Sequence, residues 1–510
     1  MDIETPRTGE TDGGGPPARA VYRSAAIAIA IAWSLRLIGL VSVLVLARLL
    51  TPRDFGIVAL ATSVLALVDI FSALGLRQAL LRIARPERAH YDTAWTLQLL
   101  VLAFLAVILV AVAPLAARFF AEPALGLLIP ILATSFVIDG LANIATVDFE
   151  RNLDLGRDLR MRVSVRLASF FATLSAALIL QNYWALILGM MLQSILNAAA
   201  SYLFHPFRPR FSLSKRAELL GVSLWMFLAS ASQTIHILVE KLVVGRIATR
   251  NLLGAYSVSR DLSSIFTEEI STALNRVTFV TTAQTGQPLS ADPGRLSAML
   301  GAYALIAAPL GLGLAATADD VVPVLLGPQW TAAPPYLAIL APACACYAVY
   351  KLVISTLQAS GDARLAGLIS ASGAMLMVAA AAITAFAGKG PQGIALSGLC
   401  VTAALLFGGI LMLARKAEAN GAAMLAAVAR PFLAGLVMML VLRQLDTAQF
   451  GPFASLMIKA PAGALLFALA AAGLWRLQGR PEGAENILLD LAKRRFIAPR
   501  ARPANPLSGG

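Results

Sequence analysis

Fourteen apolar runs follow one another along this chain, each long enough to cross a bilayer, and they decide most of what it can fold into. They fall at roughly 24–46, 55–77, 93–113, 124–146, 163–181, 184–204 and 218–244, then at 253–280, 296–317, 333–358, 364–387, 392–414, 421–443 and 453–476. A helix needs about 20 predominantly apolar residues to cross a bilayer. Inside the hydrocarbon only helices and closed barrels satisfy their own backbone groups, and runs of this length read as helices. The expected fold is therefore all-α: a polytopic membrane protein of about 14 transmembrane helices. Composition agrees, with 58% hydrophobic and 14% charged residues, against about 45–50% and about 25% in ordinary soluble domains. A cytosolic enzyme, a disordered scaffold and a secreted disulfide framework are excluded. Cys344, Cys346 and Cys400 lie in apolar runs and read as small buried hydrophobes. Cys344 and Cys346 have no His or acidic neighbour in sequence that would complete a metal site.

The net charge of +13 is spread between the runs rather than gathered in one patch, which argues against nucleic acid. On the N-terminal side of the alternation lie 26 basic loop residues, from Arg7 to Lys493, Arg494, Arg495, Arg500 and Arg502. The other side holds seven: Arg48, Arg53, Arg118, Arg246, Arg250, Lys389 and Arg443. Basic loops stay in the cytoplasm, so both termini are expected there. Residues 1–20 are polar and rich in Gly and Pro and lack the pattern of a signal peptide. Two cytoplasmic segments, Asp148 to Arg162 and 484–497, mix apolar and charged residues. They read either as interfacial helices on anionic lipid or as solvated charged helices.

An internal repeat organises the spans. Residues 44–56 (LVLARLLTPRDFG) and 242–254 (LVVGRIATRNLLG) are 198 residues apart and share Leu, Val, Arg, Thr and Gly. Each segment closes one span and opens the next. Six spans separate them, so the two halves cross the membrane in the same sense, as in parallel-repeat transporters. The expected organisation is a disordered cytoplasmic tail (1–23), an N-lobe of spans 1–6 (24–205), a basic linker (206–217) and a C-lobe of spans 7–12 (218–414). Two additional spans (415–476) and a basic cytoplasmic tail (477–510) complete it. Gly56 and Gly254 stand where the chain re-enters the membrane, where a missing Cβ permits tight turns and close helix contact.

Leu46 to Gly56, with Arg48, Pro52 and Phe55, closely resembles the first loop of bacterial polysaccharide transporters. These are the oligosaccharide (O-antigen type) flippases of the multidrug/oligosaccharidyl-lipid/polysaccharide superfamily. Gly245-Arg246 through Leu253-Gly254-Ala255-Tyr256-Ser257 is similar to that family's start of the second bundle. Leu326-Gly327-Pro328-Gln329-Trp330 with Ala333-Pro334 resembles its loop before span ten. The resemblance covers roughly residues 20–415. It implies two six-helix lobes around a central cavity, alternating access, and export of a polyprenyl-diphosphate-linked glycan for exopolysaccharide, O-antigen or capsule. It further implies residence in the bacterial cytoplasmic (inner) membrane, beside polysaccharide polymerase and export proteins.

Candidate site residues follow from position. An ionisable side chain at the bilayer centre costs at least ~2.5–3.5 kcal/mol on insertion scales, so such residues face a wet cavity or one another. The basic candidates for a diphosphate-binding cavity are Arg36, Lys241, Arg260 and Lys351, with Arg36 expected deepest. Asp69, Asp139, Glu240 and Asp261 are candidates for coupling to a proton or sodium ion, or for pairing with those cations; Glu268 and Glu269 are further intramembrane acids. His236 reads as a proton relay or as a buried hydrogen-bonded group. Pro130, Pro309, Pro342 and Pro431 read as kinks, moving or static. No resident cofactor and no metal are expected. Two other functions compete. A cation-coupled multidrug antiporter of the same superfamily would share the architecture. A membrane polysaccharide polymerase or ligase needs a large external loop, and the longest here, Ala318 to Ala332, offers only Asp319 and Asp320 without a His or nucleophile.

Overall fold

The computed structural model describes residues 18–72, 76–83, 85–152, 154–219, 224–265 and 292–479. Among these residues there is no strand. The first lobe contains α1 (Ala18–Leu49), α2 (Pro52–Asp69), α3 (Leu76–Arg82), α4 (Arg88–Phe119), α5 (Leu125–Gly140), α6 (Val147–Arg151), α7 (Leu155–Leu180) and α8 (Trp184–Phe204). A single turn, α9 (Arg216–Leu219), precedes the second lobe. That lobe contains α10 (Leu224–Ile247), α11 (250–265), α12 (Pro293–Ala316), α13 (Ala318–Leu325), α14 (Pro334–Ala359), α15 (Ala363–Phe386) and α16 (Gly390–Lys416). Then come α17 (Gly421–Gln444) and α18 (Gly451–Leu477).

Among the described residues, eleven helices are long and apolar enough to cross a membrane. A twelfth crossing is made if α5 and the helical turn after it, bent by 65°, form one span. α1 and α11 fall on the two remaining apolar runs. The end of the eighth run, Glu268, Glu269, residues 1–17 and the 484–497 segment lie outside the described residues. The chain is a multi-pass membrane protein. Its exposed large side chains, such as Phe104 and Val107 on α4 or Leu465 and Leu469 on α18, face lipid and need no polar cover.

The repeat is visible in the packing. In the first lobe α1 lies on α7, α4 on α5, α7 on α8 and α5 on α8. In the second lobe α10 lies on α15, α12 on α14, α15 on α16 and α14 on α16. The pairings are the same when spans are counted from each lobe's start. α14 is surrounded on almost all sides, which suits a helix apolar all round, and it carries Cys344 and Cys346 inward. Cys400, expected to be buried, is exposed on the outer face of α16. Lipid is as apolar as a core, so hydrophobic context alone could not separate the two positions.

Local chemistry sets the joints. α7 ends at Gln181, whose φ of 49° is left-handed, and the Asn182 side chain accepts the backbone N–H of Trp184 at 3.0 Å. This makes the tight turn between the fifth and sixth spans. The Asp148–Arg162 segment is not an interfacial helix. It splits into α6 and the start of α7, and Phe149 and Met161 are buried with Val165 and Ala200. Tyr91 donates to Asp148 at 2.6 Å and Arg151 donates to Tyr91 at 2.6 Å. Phe149 and Met161 thus serve a protein core.

The segment expected as an inter-lobe linker lies along the first lobe. Asp92, Thr93 and Thr96 on α4 accept backbone N–H groups of Arg210, Lys215 and Ser212 at 2.8, 3.3 and 3.0 Å. Trp95 meets Phe211, and Asn143 donates to the Phe207 carbonyl. His90 sits 2.9 Å from Glu218. That hydrogen bond, with Lys215 nearby, holds the Glu218 carboxyl below the usual carboxylate range.

Candidate functional site

At the end of the bundle away from the basic loops, the two repeated motifs meet each other. Thr51 caps α2 and Pro52 occupies its first turn. Asp54 accepts hydrogen bonds from the Thr51 N–H at 3.0 Å and the Thr51 hydroxyl at 2.5 Å. Its second oxygen accepts the Tyr183 N–H at 3.0 Å, tying the first loop to the α7–α8 turn. Asp54 is buried. Asp54→Ala would strand these donors at a cost of about 1–3 kcal/mol. The expected result is a lower thermal midpoint for the detergent-solubilised protein, with Asp54→Asn intermediate.

The motif glycines then cross. A Cβ on Gly56 would overlap the carbonyl oxygen of Arg250, and a Cβ on Gly254 would overlap that of Pro52. The offset of 198 residues that maps Gly56 onto Gly254 also maps Pro52 onto Arg250. The contact is therefore reciprocal, with each lobe's helix start resting on the other's backbone. The motif arginines repeat the exchange. Arg48 donates to the Val324 and Leu325 carbonyls of α13 in the second lobe. Arg246 lies 5.6 Å over the Phe119 ring of α4 in the first. Arg250 pairs with Glu122 at 3.0 Å and donates to the Phe120 carbonyl. Trp330 and Gln329 both donate to the Ala47 carbonyl, at 2.8 and 2.7 Å, and Trp330 meets Phe55 edge-on. An apolar core containing Leu46, Leu50, Ile57, Val244, Leu253, Tyr256 and Trp330 surrounds these contacts. This end of the path between the lobes is sealed.

Directly beneath the seal lies a cavity of about 250 Å³ between the lobes. Phe55 belongs to both and forms the roof. One wall carries Arg166, Ser169 and Thr173 from α7 and Gln193 from α8; the other carries Lys241 from α10 and Ser257 and Asp261 from α11. Arg166 donates to Gln193 at 2.7 Å. Gly39 leaves room for it, since a Cβ there would stand 3.1 Å from its Nη2. Among the described residues no carboxylate pairs with Arg166, whereas Lys241 pairs with Asp261 at 3.0 Å. The walls therefore present one net positive charge from two cations and one anion. Guanidinium forks match phosphate oxygens in geometry as well as charge, so this wall can hold a phosphate or diphosphate.

The remaining candidates are distributed as follows. Arg260 is buried inside the second lobe, ion-paired to Glu240, which also accepts from the Tyr256 hydroxyl at 2.8 Å. Neither lines the cavity. Gly398 on α16 leaves space for the Glu240 carboxylate. His236 is buried, shares a 3.3 Å hydrogen bond with Thr402 and stacks on Tyr347. Lys351 on α14 and Arg36 on α1 are half-buried and are not among the cavity's lining residues. Asp69 and Asp139 end up in the last turns of α2 and α5, accepting from Ser72 at 2.7 Å and Ser194 at 3.2 Å. Asp320 pairs with Lys459 of α18 at 2.8 Å, and Asp319 is exposed. Pro130, Pro309, Pro342 and Pro431 all lie within continuous helices. Arg166 was not singled out by position in sequence. Its signal was periodicity: Arg162, Arg166, Ser169 and Thr173 recur at helical spacing and lay a polar stripe along an apolar span.

A family model described as "Polysaccharide biosynthesis protein" matches residues 45–335, more than half of the chain. The chain belongs to that family. Within the family, the match starts at the first motif and ends just after the loop that carries Trp330. The chain is 25% identical over 314 residues to the lipopolysaccharide biosynthesis protein WzxC of Escherichia coli (strain K12), covering 59% of this chain and 62% of that protein. It is 25% identical over 304 residues to the succinoglycan biosynthesis transport protein ExoT of Rhizobium meliloti (strain 1021), covering 59% and 61%. The chain thus matches about three fifths of the length of these curated relatives. Among solved structures, the lipid II flippase MurJ in its inward closed conformation has the same fold, with a TM-score of 0.67 at 14% identity. That likeness covers 91% of this chain and 99% of MurJ.

Proposed function

We propose that the protein is a flippase that moves a polyprenyl-diphosphate-linked oligosaccharide from the cytoplasmic to the outer leaflet of the bacterial inner membrane. The observation that carries this reading is Arg166 in the cavity, a half-buried guanidinium without a carboxylate partner among the described residues, facing Lys241 across the path between two repeated lobes. A volume of about 250 Å³ suits a diphosphate and falls below the ~300–1,000 Å³ of ordinary ligand pockets. The head group is held there, while the sugars extend toward the cytoplasmic end and the polyprenyl tail stays in lipid. The distribution of basic loops supports a cytoplasmic position for the opposite end and for both termini. Rocking of the lobes, which breaks the reciprocal glycine seal, exposes the head group to the outside. No bond is made or broken, so the protein acts as a transporter rather than an enzyme, and it hands its cargo to polymerising and exporting machinery. Energy comes from a proton or sodium gradient or from consumption of the delivered glycan.

Depletion of the protein in its own host tests this reading. Polyprenyl-diphosphate glycans are expected to accumulate in the cytoplasmic leaflet while surface polysaccharide disappears. Intact polysaccharide together with raised drug sensitivity would instead favour the antiporter.

A further inference from the structure

The two ion pairs that join α10 to α11 form a ladder of opposite polarity. Glu240 on α10 pairs with Arg260 on α11, and the next residue of each helix, Lys241, pairs with Asp261. Consecutive helix residues point about 100° apart, so the two rungs face different surroundings. The Glu240–Arg260 rung is buried, and the Tyr256 hydroxyl satisfies its carboxylate further. The Lys241–Asp261 rung lines the cavity, with the Lys241 side chain 17% exposed and the Asp261 side chain 52% exposed.

Resting on the flippase reading above, we propose that Asp261 is a placeholder counter-ion: it occupies Lys241 when the cavity is empty and gives it up to the incoming diphosphate. A half-buried ammonium needs an anion beside it, and Asp261 supplies one at 3.0 Å. The carboxylate is half in solvent, so it can swing away without being stranded. A diphosphate brings more negative charge than Asp261 and also engages Arg166 on the opposite wall, which the carboxylate leaves unpaired. Bound anion and ionised Asp261 repel at close range, so the two compete for one ammonium. The buried rung keeps α10 and α11 in register throughout the exchange. Asp261 thereby sets the strength of the grip: it weakens binding enough for the cargo to leave after the lobes rock. It is a positioning residue that acts on substrate through Lys241.

The test uses the full-length protein in lipid nanodiscs, with farnesyl diphosphate and inorganic pyrophosphate as probes. Asp261→Asn should bind farnesyl diphosphate about two- to fivefold more tightly than wild type, the range of a partly exposed ion pair. The gain should shrink as salt rises. In a Lys241→Gln background the same change should give a clearly smaller gain, because the exchangeable cation is gone and only the direct repulsion between Asp261 and the anion is relieved; an undiminished gain would overturn the exchange on Lys241. Asp261→Glu keeps the charge and should bind as wild type, which separates the proposal from simple damage to the helix pair. In transport, Asp261→Asn should lower KM and kcat together, since the product leaves against a tighter grip. Pyrophosphate should show the same ratio between variants as the prenyl probe, at weaker affinity; pyrophosphate as tight as the prenyl probe would overturn the lipid head group as the ligand. Equal or weaker binding by Asp261→Asn, with wild type binding normally, would overturn the placeholder role and leave the cavity reading standing. Absence of binding by wild type to either probe would overturn both.

Discussion

Replacing Gly254 with alanine is expected to abolish glycan export while leaving the protein folded and in the membrane. The added Cβ would overlap the Pro52 carbonyl oxygen and lie 3.0 Å from the Gly56 backbone nitrogen. Both neighbours are backbone and cannot rotate away. The clash acts on the closed seal alone and vanishes once the lobes part at that end. Overpacking of this kind costs about 1–3 kcal/mol. At the upper value it shifts a two-state closed–open equilibrium by more than about a hundredfold toward open. Gly56→Ala meets the Arg250 carbonyl in the same way, so the reciprocal geometry predicts a matching phenotype from the other lobe. A cysteine placed at Ser42 in the cavity, in a Cys400→Ser background, should become reactive toward an external membrane-impermeant maleimide in either glycine variant and stay protected in wild type. Normal export with a protected cysteine in both variants would refute the seal.

The second large effect is at Arg166. Arg166→Gln keeps a polar side chain next to Gln193 but removes the cavity cation that, among the described residues, has no carboxylate partner. Loss of a desolvated charge–charge contact typically costs about 2–5 kcal/mol. Head-group affinity and export should therefore fall roughly 30-fold or more. Arg166→Lys should lie between, because a point charge replaces a bidentate fork. Arg36→Glu offers a contrast, since Arg36 lies on α1 outside the cavity's lining residues. It should impair export less than Arg166→Gln. The reverse order would move the anion site to α1.

The span pattern was legible in the sequence because bilayer thickness fixes helix length and leaves few alternatives. The repeat was legible at the two motif loops, where Gly and Arg recur at an offset of 198 residues. Their meeting was not legible, because it depends on how the lobes pack. The intramembrane charges show the same division. That Glu240, Lys241, Arg260 and Asp261 needed partners followed from desolvation cost. Which cation took which anion, and which rung faced water, depends on helix rotation that a list of residues does not contain. Asp69 and Asp139 each stand in the final turn of a helix and accept from a serine, a local partner that the apolar runs around them do not reveal. Arg166 was overlooked for the opposite reason. It lies close to the basic loop of Arg157, Arg160 and Arg162 and blends into that charge run, and only its spacing to Ser169 and Thr173 marks it as part of a cavity wall.

The most direct test of the central claim is translocation by the purified protein. Lipid-linked glycan extracted from depleted cells would be reconstituted with the protein into sealed vesicles, and its exposure followed with an impermeant lectin added outside. The account predicts that wild type moves the glycan between leaflets far faster than protein-free vesicles do, and that Arg166→Gln and Gly254→Ala fall to the protein-free rate. Wild-type vesicles no faster than protein-free ones, with the protein folded and the glycan lipid present, would contradict it.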